Sequence, residues 1–191
     1  MTILRFAKPE DAEAIAVIYA PYVENTTVSF EYESPDADEI RRRMAVVQQD
    51  LPWLVAEVDG YVVGYAYASH FHERAAYAWS AETSVYMSQA AQRQGLGRML
   101  ERAVLHALQA QGYRTAYALI SHPNPESEAF HLAMGFKPVG VLHKAGCKHE
   151  KWLDLSYWEY SLTDSLPDNP PMPVPVSILP ETKLLEIFCG L

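Results

Sequence analysis

Cysteine is scarce in this chain: Cys147 and Cys189 are its two thiols among 191 residues. So few thiols, so far apart, give neither a disulfide framework nor a zinc-ligand spacing, and they read as unpaired. No apolar run approaches the length of a membrane span, and the opening Met-Thr-Ile-Leu-Arg-Phe has no basic region leading into a long apolar one. A cytoplasmic address and the lack of a membrane partner are the matching expectations. Positive charge is also short, with 15 Lys and Arg against 24 Asp and Glu and a net charge of −9. That balance disfavours nonspecific binding to nucleic acid but leaves an anionic small molecule open, because backbone amides at a helix start hold phosphate whatever the overall sign. Arg41-Arg42-Arg43 has no interleaved aromatics and reads as a solvated helix face.

What is present is ordinary for a globular domain: 49% hydrophobic and 20% charged residues. The length suits one domain, and no internal repeat is evident. Residues 3–7 read as a strand, and Pro9-Glu10-Asp11 opens a helix with Ile15, Ile18 and Tyr19 on one face, which Pro21 should end or kink. A polar loop (24–30) and a second helix (36–49) follow. Asp59-Gly60 between the apolar runs 53–58 and 61–69 predicts a tight hairpin. A further strand over 77–87 runs into a glycine-containing loop and a long helix, in which Met99, Leu100, Ala103, Val104, Ala107 and Leu108 recur at helical spacing before Gly112. A strand (116–120), a short helix (127–134) closed by Gly135, and strands at 139–142 and 152–162 complete the order, with Pro138 just before the first of these. Hairpins and helical crossovers together predict an α/β domain, with a central mixed, twisted sheet flanked by helices, over residues 1–162. Residues 163–191 form a proline-rich tail whose apolar end, Leu184-Leu185-Glu186-Ile187-Phe188, can dock on the domain, meet another subunit or stay loose.

A strand that ends in a glycine loop and feeds a helix is an anion cradle: Gly95 and Gly97 carry no side chain to block phosphate, and Arg93 and Arg98 add charge at its mouth. The same glycines also suit a plain tight turn. Glu82 places a carboxylate in an otherwise apolar strand, as a base for an ammonium nucleophile or as a surface glutamate. Asn124 can hold amide groups or start a helix, and His131 can relay a proton or pack within one. No metal-ligand cluster is read from the sequence.

Several ordered segments carry a resemblance that covers about residues 3–162. They are Tyr22-Val23-Glu24-Asn25-Thr26-Thr27-Val28-Ser29-Phe30, Pro52-Trp53-Leu54-Val55-Ala56-Glu57, Glu82-Thr83-Ser84-Val85-Tyr86-Met87, the Gln92–Gly97 loop, Pro123-Asn124-Pro125, His131 with Gly135-Phe136, and Ala145-Gly146-Cys147-Lys148-His149. In that order the chain resembles the GCN5-related N-acetyltransferase superfamily, and within it the branch of phosphinothricin, methionine sulfone and methionine sulfoximine N-acetyltransferases. The resemblance implies that fold, acetyl-CoA as cosubstrate without a metal, and direct acetyl transfer to the primary amine of a small amino-acid analogue, in detoxification or antibiotic resistance. It implies a pyrophosphate on the amides of Arg93, Gln94, Gly95, Leu96, Gly97 and Arg98, with Gln92 also at the cofactor, and a pantetheine arm along Val85, Tyr86 and Met87. Asn124, Ser127 and Phe130 would lie beside that arm. Glu82 matches the general base, and His131 a residue that assists proton transfer or orients the donor. Thr27, Phe30, Arg74, Tyr77, Lys148 and His149 would form the acceptor pocket, with Arg74 on the substrate carboxylate. A homodimer is a further implication.

Two departures from close relatives are Gln92, where arginine is frequent, and the His70-Phe71-His72-Glu73-Arg74 patch. The competing readings are an acetyltransferase for a peptide or protein amino terminus, and a noncatalytic acyl-CoA-binding domain. An oxidoreductase is disfavoured because no acidic residue follows the glycine loop in position for a nucleotide ribose.

Overall fold

The computed structural model describes residues 1–190. β1 (Thr2–Phe6) passes through a 3₁₀ turn at Pro9–Asp11 into α1 (Ala12–Glu24), which buries Ala12, Ile15, Ile18, Tyr19 and Val23. The helix continues past Pro21 rather than ending there. One missing amide is outweighed by the packing of Tyr19 and Tyr22 edge-on against Tyr86, which holds the last turns. Asp36 caps α2 (Ala37–Val47) by accepting from the Glu39 amide at 2.8 Å. The arginine run on α2 is paired with Asp38, Glu39 and Glu31.

β2 (Trp53–Val58) and β3 (Tyr61–His70) meet at Asp59-Gly60, with φ values of 50° and 87° as the tight hairpin requires. β4 (Ser80–Met87) starts later than the sequence suggests, because Ala75–Tyr77 form a 3₁₀ turn. α3 (Leu96–Gln111), β5 (Thr115–His122) and α4 (Pro125–Met134) follow. Gly112 and Gly135 stop the two helices in the left-handed region at φ 96° and 98°. β6 (Lys137–Lys148) is longer than the expected 139–142 and holds Pro138 inside it. As an edge strand with a register shift at Pro138, it tolerates the missing amide. β7 (Lys151–Ser161) closes the sheet, and a 3₁₀ turn at Val176–Ile178 leads to α5 (Glu181–Ile187).

The seven strands lie in the order β1-β2-β3-β4-β5-β7-β6. All neighbours are antiparallel except β4 and β5, which run parallel and pair only over residues 80–82 with 115–117. Beyond that point β4 stays with β3 and β5 stays with β7, so the sheet parts into two halves. On one face, Ala66, Ala68, Ala81, Ala116 and Ala118 present small side chains on which α3 packs. On the other, α1 and α2 cover Trp53, Val55 and Tyr65. The tail joins the α3 side: Val176, Leu179 and Ile187 are buried in that core, and Phe188 meets Phe6 edge-on at 5.8 Å. No helix among the described residues is long and apolar enough to cross a membrane.

One polar side chain interrupts the buried stripe of α3. Glu101 is wholly buried and accepts from Thr83 Oγ1 at 2.7 Å, while its Oε2 has no partner. Burial pushes its carboxyl from 4.5 up to about 7. The folded protein therefore holds a proton that the unfolded chain releases above about pH 4.5. Stability from this group is full below that pH and falls as pH rises to about 7, by about 3 kcal/mol. Glu101→Gln should flatten that fall in urea unfolding compared at pH 5 and pH 8. An equal fall in variant and parent would assign the titration to another group.

Candidate functional site

Where β4 and β5 part, a cavity of about 700 Å³ opens between them. Residues 83–87 of β4 and 118–121 of β5 form its long walls. Gln92, Arg93, Gly95, Gly97 and Arg98 form one end, Asn124, Ser127, Phe130 and His131 the side, and Tyr22 and Val28 reach in from α1 and the loop after it.

The β4 wall carries free backbone groups. Tyr22 Oη donates to the Met87 carbonyl at 2.6 Å and accepts from the Met87 amide at 3.3 Å and Gln92 Nε2 at 3.1 Å. Both Met87 backbone groups thus face away from β3, whereas the Ser88 amide bonds the Val63 carbonyl on β3. By the alternation of an antiparallel ladder, Val85 also turns its amide and carbonyl toward the cavity, where β5 has moved away, whereas Thr83 lies next to the last bridge to β5. The start of α3 adds more donors. Gly95 lies at φ 84°, and the Arg98 amide turns back to the Gly95 carbonyl at 3.1 Å. The amides before it have no intrahelical acceptor and carry the positive end of the helix dipole. Arg93 pairs with Glu126 at 2.7 Å across the mouth, both side chains being more than four-fifths exposed. Gln94 bonds the Ala90 carbonyl and Leu96 is buried in the core, so these two expected site residues offer the cavity only their main chain.

Asn124 caps α4, its Oδ1 accepting from the Ser127 amide at 3.2 Å. His131 is buried, with Nδ1 2.8 Å from the Ser127 carbonyl, so Nδ1 carries the proton and Nε2 keeps a lone pair. Burial pushes its pKa down, and the ring is neutral at neutral pH. Glu82 is the last β4 residue paired with β5, opposite Tyr117. It is not a cavity wall. Its parity with Tyr86 puts it on the α1 face, whereas His131 packs on Phe136 in the α3-side core. The structure therefore does not bring Glu82 and His131 together. Burial alone raises the Glu82 pKa.

The expected acceptor residues separate into groups. Thr27 and Phe30 lie, half-buried, in the loop that sends Val28 into the cavity. Tyr77 places its ring near Phe71 and His72, at 5.9 and 4.8 Å, and Arg74 is exposed at the start of the same turn, without an ion pair among the described residues. Lys148 is a correction. It is 2% exposed, and its Nζ donates to the Val23 and Ser29 carbonyls, both at 2.6 Å, so it is engaged within the protein and does not face a substrate. His149 stands exposed in the β6–β7 turn at φ 48° and does not line the cavity. The sequence reading missed Tyr22, Val28, Thr83 and Glu126 as cavity residues. Thr83 has a legible signal, a hydroxyl on the strand face that otherwise carries Ala81, Val85 and Met87. Among the described residues no His, Cys, Asp and Glu cluster can hold a metal ion.

Residues 4–157 match the family described as acetyltransferase (GNAT) domain. The chain is 38% identical over 171 residues to phosphinothricin N-acetyltransferase of Streptomyces viridochromogenes, covering 90% of this chain and 93% of that one. It is 32% identical to the L-methionine sulfoximine/L-methionine sulfone acetyltransferase of Salmonella typhimurium, over 86% and 96% of the two chains. In structure it is similar to a phosphinothricin acetyltransferase of Sinorhizobium meliloti in complex with AcCoA, with a TM-score of 0.85, 33% identity, and coverage of 91% and 95%.

The free amides, the slot and the glycine end fit such a ligand. A Cβ at Gly97 would point at Met87 and Phe130, 3.6 to 3.9 Å away, without clash, so a larger side chain there enters the cavity. Gly97→Val should weaken acetyl-CoA binding about tenfold or more in calorimetric titration, with thermal stability nearly unchanged. Unaltered affinity would place the diphosphate elsewhere.

Proposed function

Because the chain belongs to the GNAT acetyltransferase family and is an acetyl-CoA-dependent N-acetyltransferase, we propose that its acceptor is the α-amino group of a small amino-acid analogue of the phosphinothricin or methionine sulfone kind. The observation that carries this reading is the parting of β4 and β5, which turns the Val85 amide toward the slot just beyond Glu82, the last β4 residue paired with β5.

The amides at the start of α3, with Arg93 and Arg98, would hold the diphosphate, and the backbone of residues 85–87 would align the pantetheine arm. When bound, acetyl-CoA supplies the acyl thioester and a thiol leaving group. The amine attacks the thioester carbonyl directly, and the Val85 amide donates to the oxygen on which negative charge grows. Glu82 stands off the cavity wall, so it takes the ammonium proton through water; its raised pKa suits a base working near neutrality. His131, neutral and with Nε2 unprotonated, orients the donor side through a hydrogen bond. Arg74, exposed and unpaired, would clamp the substrate carboxylate with its planar fork. Cys147 is an exposed thiol, and no histidine bonds it among the described residues, in keeping with transfer without an acetylated enzyme.

The same proposal holds residues 1–162 to be the catalytic unit and 163–191 to be a brace, in a cytoplasmic homodimer that serves detoxification or resistance. Exposed Val139, Val141, Leu142 and Trp152 on the outer hairpin favour self-association, which sedimentation at micromolar concentration would check.

Acetyl-CoA-dependent thiol release across phosphinothricin, methionine sulfone, methionine sulfoximine, ordinary amino acids, a polyamine and a short peptide tests the acceptor. Saturation confined to the first three supports it, and preference for the peptide replaces it with an amino-terminal acetyltransferase. Glu82→Gln should slow turnover about a hundredfold or more near neutral pH, with acetyl-CoA affinity kept. The wild-type rate should climb with pH as the raised Glu82 pKa is crossed, since the base works deprotonated. A glutamine variant with the parent's rate at every pH would remove Glu82 from proton transfer.

A further inference from the structure

The ammonium of Lys148 is a buried cation that forms no salt bridge among the described residues; its hydrogen-bond partners are two carbonyls. One belongs to Val23 in the last turn of α1, where helix carbonyls lack intrahelical donors and a cation is favoured. The other belongs to Ser29 in the loop that follows. The two residues before Lys148 also grip the segment after α1. The Tyr32 hydroxyl donates to the Cys147 carbonyl. Gly146 lies so near Phe30 that a Cβ there would stand 2.6 Å from its ring. Three consecutive residues at the end of β6 thus hold Phe30, Tyr32 and Ser29, in the loop whose Val28 lines the cavity.

We propose that the tip of the β6–β7 hairpin is the strut of the amine-acceptor loop, and that Lys148 is its positioning residue, setting acceptor recognition without touching the acceptor. The inference rests on the acceptor role given above to Thr27 and Phe30. Two hydrogen bonds to a charged donor tie the helix end to the loop, and the missing side chain of Gly146 lets the Phe30 ring seat against β6. The donor side of the cavity is built from β4, β5, α3 and α4, none of which Lys148 bonds, with Tyr22 of α1 bracing Met87; Lys148 meets α1 at the Val23 carbonyl and not at Tyr22. The strut should therefore act on one substrate and not on the other.

Lys148→Met and Gly146→Ala break the strut in different ways, one by removing the tie and one by displacing Phe30. Each should raise the Michaelis constant for the best amine about tenfold while that for acetyl-CoA stays within about twofold. Amide hydrogen exchange over residues 25–31 should quicken in Lys148→Met. Unchanged exchange in that segment, or a loss of thermal stability with both Michaelis constants at parent values, would overturn the strut. If Lys148→Met does not fold, Gly146→Ala carries the kinetic test alone, and equal Michaelis constants there overturn the proposal. A parent protein that binds acetyl-CoA yet acetylates none of the amines defeats the acceptor assignment, and the exchange measurement then decides the strut by itself.

Discussion

The structure depends on a broken pairing. β4 and β5 hold together over three residue pairs and then part, each keeping its other neighbour. A parallel pair inside a sheet normally satisfies both strands' inward amides and carbonyls, and a buried backbone group left unpaired costs about 1–3 kcal/mol. At Met87 the cost is offset by Tyr22, whose hydroxyl serves both the amide and the carbonyl. At Val85, beyond the last bridge to β5, no such group is supplied by the neighbouring strand, and a ligand or water can meet it. The slot is thus a set of hydrogen-bonding groups already oriented before any substrate arrives, which is what preorganised stabilisation of a developing charge requires. Everything else around the site is arranged on the two lips of that opening.

The opening also explains how a chain with a net charge of −9 can take a polyanionic cosubstrate. On the proposed placement of the diphosphate, attraction would come from local dipoles at the start of α3 and from Arg93 and Arg98, not from the overall field. Arg93 is paired with Glu126 in solvent, and an exposed pair of that kind contributes only about 0–1 kcal/mol, so the arginine yields readily to a phosphate. His131 works differently: burial and its bond to the Ser127 carbonyl keep it neutral, so it adds a hydrogen-bonding nitrogen without adding charge.

Periodicity makes the elements legible because it reports which face of a strand or helix is buried. The Asp59-Gly60 hairpin, the α3 stripe and the Gly112 and Gly135 stops all follow from local rules of that kind, and so does the glycine end of the cavity. The β4–β5 split does not, since the residue pattern of β4 is the same whether or not a neighbour pairs with it. Pro21 misleads because helix-breaking is a local cost that the aromatic packing of Tyr19 and Tyr22 overrides. The resemblance puts Lys148 in the acceptor pocket, whereas its engagement with two carbonyls 119 and 125 residues away in sequence is a tertiary fact that no local pattern shows. Glu101 is not singled out by the stripe read from the sequence, and its burial and its partner Thr83 are found only once α3 lies on β4.

The tail shows how a segment without a periodic pattern still acquires a fixed place. Its prolines remove amides that would otherwise need partners, and an extended prolyl segment keeps little freedom to lose on docking. A few specific bonds then suffice. Gln111 Nε2 reaches the carbonyls of Asp50 and Val174 at 2.6 and 2.8 Å, the Val174 amide returns to Gln111 at 2.9 Å, and Trp79 donates to Pro171. Gln111 is the last residue of α3, and Ile187 with Leu179 packs into the same core as that helix. The end of α3 remote from the cavity is therefore fixed to the loop before β2 and to the tail at once. Because α3 is one continuous helix from Leu96 to Gln111, an anchor at Gln111 helps to fix the other end as well, where the proposed diphosphate site lies.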